Sequence, residues 1–594
     1  MSSSLATFAT ETVAGGAAFP AGTTLYLPSD GGALPALSAL ELAAANGSLN
    51  TTTDAILAAA VSGKTNELLV ESGNAVHVPV GYTQIADLST TSAPTIFTNG
   101  NTATTVLGGL SGMTVWDGTL GETVYTGGGD NVIGLSATVS ELLYADLSGA
   151  SDVVAMGYGS GSVTGGGASN IIWGSGTNGV SNLNVHLVRG SSTVMAGIGS
   201  NTIDLGGTND VIFGGGGTNN DTITGANDIF VGGAGPSTVT AGASDVIFAG
   251  SSTMTASIAG AGAIFVGNTG NDTINAGTGV TGWGGLGTME FIVNNSQATI
   301  VGGQGSTMVY QAGSTSVGTY FNNGSGVMTV NGGINSTGGT IIERWAGSGG
   351  MLVDASTSTG DTIVMTEGND TVWAGTALNG TMYYNGSFPM QPNNDTVNFY
   401  GNASGSILSG QSNIIGLESS GNVTVNDSNI SASNVNGLLS GHNLIDAQNA
   451  TGSVDITFSI LGDTVIGGAG SNTYTPFVPS TSNTSLNGHV ESVSFGTGTN
   501  NLVLNSNNTG IGTTLDVYNF NPNRDNIEFI GLTNTSLAQE AATMAEQNLV
   551  MPNGQDKAST FFITNALTVD LYAGPSASSL TPMSSIVASH FVTA

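Results

Sequence analysis

The chain has 594 residues, 93 of them Gly and none Cys, and its 39 acidic residues against five Lys and Arg give a formal net charge of −34. So few cations exclude a phosphate-neutralising nucleic-acid surface and oppose an anionic membrane face, and the absence of Cys excludes disulfides and thiolate metal centres. Charged residues make up only 7% and hydrophobic ones 39%, so the surface must be mostly Ser, Thr, Asn and Gly, as in a stack of repeats.

In chain order, residues 1–87 read as a small α+β head, either a cap on the stack or an anchor or assembly module. Ala33–Gly47 and Thr51–Gly63 are apolar and helical in pattern, the second capped by Thr53 or Asp54 and ended by Gly63. Glu67–Leu88 then alternates as strands do. The N-terminus lacks the cationic and apolar parts of a secretory signal peptide. No run of about twenty apolar residues is present, so no membrane insertion is expected.

Residues 88–508 carry a degenerate repeat, clearest over Val188–Gly277. Ser192, Asn201 and Asp210 are nine residues apart, and Asp228 and Ser237 keep that frame. After a slip of one residue, Asp245, Ala263 and Asp272 follow eighteen and nine apart. The unit is a Gly-rich turn, one polar residue and a strand of three or four residues. Such strands bury a face only when stacked, so two nonapeptides are expected to make one coil of a parallel β-solenoid. Thr126–Leu135, Ser358–Gly375 and Ile460–Thr475 continue the pattern, with Asp130, Asp361, Asp370 and Asp463 in the polar place. Thr288–Gly333 keeps the rhythm without Asp, and Asn, Ser and Thr can hold such turns by local hydrogen bonds.

Residues 509–594 change texture again. Leu515–Leu532 is aromatic-rich and then alternates, Thr535–Leu549 reads as a helix with Ser536 and Gln539 in capping-box spacing, and Ser559–Gly574 reads as two strands. The expected fold is therefore all-β, a parallel β-roll or β-helix with the small α+β region at one end and a helix-plus-strands cap at the other.

Gly267–Asn275, GNTGNDTIN, resembles the nonapeptide of the repeats-in-toxin (RTX) family, with Asn268 in place of the second Gly. That resemblance implies calcium held by the turn Asp and turn carbonyls, and an apolar residue two places on in the core. The pairs so implied are Asp272 with Ile274, Asp210 with Ile212, Asp221 with Ile223, and Asp370 with Val372. Asp130, Asp228, Asp245, Asp361, Asp395 and Asp463 join them as expected ligands. The chemistry is consistent, since calcium takes six to eight hard oxygen ligands. A column of carboxylates one strand apart also repels itself until cations or protons relieve it. Leu515–Leu532 resembles the segment closing many RTX domains, with Asn521, Asp525, Ile527 and Phe529 matching. The tail from Ser584 onward resembles a type I export signal in its loose, hydroxyl-rich character.

No catalytic constellation emerges. The five His have no metal spacing, and Gly157–Val163 is a Gly-Ser turn with no strand-to-helix elbow. Arg344, beside Glu343 and Trp345, reads as a local ion pair on a packed Trp. Trp116, Trp173, Trp283, Trp345 and Trp373 fall at strand positions and are expected to be buried. The chain is thus expected to be a non-enzymatic, extracellular or cell-surface structural protein of the RTX surface-layer type. It would fold on calcium and assemble with copies of itself, or with cell-surface polysaccharide. The alternatives are a calcium-dependent adhesin and a polysaccharide lyase or epimerase.

Overall fold

The computed structural model describes residues 9–12, 24–27, 34–98, 182–294 and 297–312 continuously. It also describes strands and adjoining turns between 104 and 174, 317 and 384, 396 and 530, and at 559–563, 567–572 and 591–593. Two compact units, Met1–Met289 and Glu290–Ala594, divide the chain. The fold is a parallel β-solenoid.

In the first unit the coil has two sides. Strands Leu183–Leu187, Asn201–Leu205, Asn219–Ala226 and Ser237–Ala243 pair in parallel in one sheet. The alternate strands Thr193–Met195, Val211–Phe213, Ile229–Val231 and Val246–Phe248 pair in parallel in a second. Each strand therefore meets the strand two places on, one coil away, and the coil is a two-sheet roll without a third face. The first sheet alternates strictly, with Ile203 and Leu205 inside and Thr202 outside. The second-sheet strands from Thr193–Met195 to Ile264–Val266 have three residues each, of which only the middle one points inward: Val194, Ile212, Phe230, Ile247 and Phe265 fill successive coils with no exposure. Ile223, Ile274 and Val372 are buried as the repeat requires.

The one-residue slip in the sequence between Ser237 and Asp245 has a local solution. Register shifts between Ile223 and Ala226, where Asn219–Ala226 pairs with Ser237–Ala243, and the following coil is back in line. Close stacking also fixes certain glycines: a Cβ on Gly225 would overlap the carbonyl oxygen of Gly207 in the preceding coil.

The N-terminal region is α+β but differs in detail from expectation. Leu34–Ala45 is a helix. It ends at Gly47, whose φ of 64° closes the turn while Ser48 N–H bonds the Ala43 carbonyl. Thr51–Gly63 is not helical. Its β-branched threonines belong to strand Leu49–Thr53, which pairs in parallel with Thr65–Val70. Asp54 caps no helix; it accepts the backbone N–H groups of Glu71 and Ser72, both at 3.2 Å. The coils thus begin at Leu49, within the expected head. Leu69, Ala86 and Leu107 align on the outer face of the first sheet, where Leu37 and Leu40 of the helix cover them.

In the second unit the two-sheet pattern recurs in both ladders, as in Met328–Asn331 with Met351–Ala355 and Val454–Ser459 with Asn472–Phe477. The expected pair of C-terminal strands is present: Ser559–Ile563 is antiparallel to Leu567–Leu571, which pairs with Thr513–Tyr518. The helix expected over Thr535–Leu549 lies outside the described residues.

Turn chemistry supplies the first test. Ser151, Ser169, Ser191, Asn209, Asn227 and Ser244 all have φ between 60° and 65°, one per coil at the same corner. A left-handed residue with a Cβ costs about 1–2 kcal/mol, less for Asn, and Gly avoids the cost. Asn209→Gly is expected to leave the melting temperature within a degree or two, whereas Asn209→Val lowers it by several degrees. Thermal circular dichroism reads both.

Candidate functional site

The residue after each of these six left-handed positions is polar, buried and aligned with its counterpart in the next coil. With Asn131 one coil upstream, Asp152, Asn170, Ser192, Asp210, Asp228 and Asp245 form this first column, all at 0–1% exposure. Each accepts the backbone N–H of the equivalent residue in the coil before. Ser192 N–H bonds Asp210 Oδ1 at 2.7 Å, Asp210 N–H bonds Asp228 Oδ1 at 2.7 Å, and Asp228 N–H bonds Asp245 Oδ1 at 3.0 Å. Asn131 and Asp152 extend the same bond upstream. The column stops at Ala263, which has no acceptor.

A second column occupies the opposite corner. Asn201 Nδ2 donates to Asn219 Oδ1 at 2.9 Å, Asn219 Nδ2 reaches Ser237 Oγ at 3.4 Å, and Met254 N–H donates to Asp272 Oδ1 at 2.9 Å. The nine-residue spacing is therefore two interleaved columns. Alternate members sit at opposite corners, so Asp272 does not stack with Asp210, Asp228 and Asp245.

The remaining expected ligands scatter. Asp130 is exposed, one place before the first column's Asn131. In the second unit Asp370 Oδ1 accepts Met351 N–H at 2.7 Å and Asp463 Oδ1 accepts Asn443 N–H at 2.9 Å, each closing one rung. Asp361 and Asp395, and the side chains of Glu343, Arg344 and Trp345, lie outside the described residues. Near the C-terminal end Asn472 donates to Asn500, which donates to Asp525 at 2.8 Å. Arg524 holds Asp525 Oδ1 at 2.9 Å and the carbonyls of Gly496 and Thr497.

Asp221 is set apart from every turn. It stands inside the first sheet between Ile203 and Val239, at 1% exposure, with neither carboxyl oxygen hydrogen-bonded. Burial pushes its pKa up to about 8. Burial also lifts Asp228 to about 6, against the Asp210 N–H bond and with help from the Asp245 and Asp210 charges. Asp272 is pushed up to about 6 by burial, and Asp210 and Asp245 move in the same direction for the same reason.

The fit to calcium can be judged from the oxygens. Asp245 uses both, on Asp228 and Gly242 N–H groups. Asp210, Asp228 and Asp272 each use Oδ1 only, and their buried Oδ2 atoms have no hydrogen-bond partner. Beside one of them the absent Cβ of Gly225 lets the Gly207 carbonyl of the preceding coil approach, since a Cβ there would meet both that carbonyl oxygen and, at 2.9 Å, Asp228 Oδ2. These three oxygens suit a hard cation. Among the described residues no three acidic or His side chains converge on one point, so turn carbonyls would have to supply most of the ligand shell.

Three functional features escaped the sequence reading. Asp152 belongs to the first column and was not assigned there. Its signal is the five-residue pattern Ser-Asp-Val-Val-Ala at 151–155, matched by Asn-Asp-Val-Ile-Phe at 209–213 and Ser-Asp-Val-Ile-Phe at 244–248. The burial of Asp221 went unseen because a turn-like context masked a strand. Trp116, Trp173 and Trp283 are not buried: they are 46–48% exposed, because the third residue of a second-sheet strand points outward. Comparison with protein-family models gives no match, and no curated protein matches the chain.

An acid whose folded pKa lies above its unfolded value, about 4, stabilises the fold most below that value. The contribution is lost as pH rises through the folded pKa. Stability, and in chelator the folded fraction, is therefore expected to fall between pH 4 and about pH 8. Asp221→Val should raise stability at pH 7 by about 1–3 kcal/mol, the scale of an unsatisfied buried polar group. It should also flatten the upper part of the pH profile. Melting curves at pH 5, 7 and 8.5 measure both effects, and an unchanged slope would place the titration elsewhere.

Proposed function

We propose that this is an extracellular structural protein of RTX type, exported by a type I route, that folds on calcium and assembles with copies of itself into a surface layer or matrix filament. The observation carrying this reading is the run Asp210, Asp228 and Asp245: three carboxyl groups buried on consecutive coils, all with raised pKa values. A cation or a proton must relieve such a column, and at neutral pH outside the cell calcium is the available partner. Asp210 and Asp228 at the first corner, and Asp272 separately at the opposite one, would hold calcium through their unengaged oxygens, with carbonyls of the turns. Calcium supplies charge neutralisation and ligand bonds between coils. Binding to the folded state alone stabilises that state by mass action, so a chain kept in low calcium stays unfolded for export. The coils then serve as scaffold, since repetition is what most of the described chain is made of.

The test is a calcium titration of chelator-stripped protein, read by circular dichroism and negative-stain electron microscopy on the same samples. Strand signal and ordered sheets or fibres are expected to rise together. Asp210→Asn combined with Asp228→Asn keeps the acceptors for the backbone N–H groups and removes the charges. It should raise the calcium midpoint at least several-fold and leave more strand signal in chelator than the wild type has. Full strand signal in chelator, unchanged by calcium, would overturn the calcium part of the proposal; folded monomers at every concentration would overturn the assembly part.

A further inference from the structure

Among the described residues of the first unit, one sheet face has nothing packed on it. In the second sheet, eleven strands from Thr95–Phe97 to Val280–Trp283 stack without a register slip. With only the middle of each aligned triplet inward, each strand offers two outward positions. None of these 22 positions is charged and only four, all Thr, are polar. Trp116, Trp173, Phe213, Phe248 and Trp283 stand there at 40–48% exposure. On the other sheet the N-terminal helix covers the apolar patch of Leu69, Ala86 and Leu107, and later coils turn Thr, Ser and Asn outward.

We infer that this apolar face of the second sheet is a contact surface for a second copy of the same chain, packed sheet against sheet. The inference rests on the assembly reading above and adds the surface through which copies meet. Three observations favour a second copy over other occupants. The face is self-complementary: Phe213, Val231, Phe248, Val266 and Trp283 alternate large and small on successive coils, so a copy displaced by one coil interdigitates. The area suffices. Eleven strands about 4.8 Å apart and a width of about 10 Å give roughly 500 Å² per copy, or about 1,000 Å² for a pair, where specific interfaces begin. Charge also points the same way. Each copy carries −34, which disfavours an anionic bilayer, and an uncharged face lets two such chains meet with their acids directed elsewhere. A glycan would need hydroxyl partners beside the rings, and this face offers four threonines.

Because the chain has no Cys, one introduced thiol reports the contact. Full-length Phe248→Cys, treated in calcium with a short bismaleimide, is expected to give a covalent dimer. Thr240→Cys, exposed on the other sheet of the same coil, is expected to give at least tenfold less. The combined variant Phe213→Ser, Phe248→Ser and Trp283→Ser should keep the wild-type strand signal and lose the dimer in sedimentation velocity, with at least a tenfold rise in dissociation constant. Should that variant fail to fold, the cross-linking comparison alone decides. Assembly by the wild type with no cross-link at position 248, or with equal cross-linking at 240, would overturn this surface while sparing the assembly reading. A discrete dimer cross-linked at 248 that never extends into sheets or fibres would uphold the surface and overturn the lattice or filament. A wild-type monomer retained on a soluble glycan would overturn both.

Discussion

The structure depends on one hydrogen bond repeated from coil to coil. At the first corner the chain passes through a left-handed residue and the next backbone N–H turns inward, where no water reaches it. An unmade hydrogen bond there costs about 1–3 kcal/mol. The side chain one coil on supplies the acceptor, so each coil satisfies its predecessor. Asn, Asp and Ser all carry an oxygen at the required reach, which is why the column tolerates their exchange. The strands between corners can then be as short as three residues, because the corners fix their register.

This bond explains what the sequence discloses and what it hides. The period, the parallel solenoid and the inward Ile212, Ile223 and Ile274 are legible, because they follow from residues alternating along a short strand. Two columns are not legible as two, since a nine-residue spacing is the same whether successive members share a corner or alternate. The helical pattern of Thr51–Gly63 misleads because its threonines find a parallel partner in Thr65–Val70, and tertiary pairing overrides local preference. The outward Trp116, Trp173 and Trp283 defy the expectation that aromatics are buried; a three-residue strand has one inward position, and Val115 and Ile172 already fill it in two of these strands. In the second unit the rungs stretch from 19 to 28 residues, so periodicity fades there although the pairing persists.

The exchangeability of Asn, Ser and Asp also limits what the acids can be for. Asn170 and Ser192 occupy the same place as Asp210, so the ladder itself does not need a carboxylate. Asn would make the same bond without the burden of a buried charge. Three acids in succession at Asp210, Asp228 and Asp245 therefore destabilise the bare fold relative to what the architecture allows. A feature that weakens the resting state at neutral pH makes folding answer to whatever neutralises it. Asp221 does this without any ladder bond in return.

The same economy of charge shapes the exterior. With five basic residues in the chain, acids cannot be balanced by ion pairs; Arg524 with Asp525 and His186 with Asp204 are the pairs seen among the described residues. Uncharged columns of Thr, Asn and apolar residues must therefore carry most of the outer surface. On a parallel stack such columns become continuous stripes, since each residue type recurs at the spacing of the coils. A stripe of Thr is hydrated, whereas a stripe of Phe, Trp and Val of the length found in the first unit is as large as the apolar patches that soluble proteins keep for function. Repetition that satisfies the interior thus writes the exterior as well: one change in the five-residue unit, repeated coil after coil, turns a sheet face from solvated to adhesive.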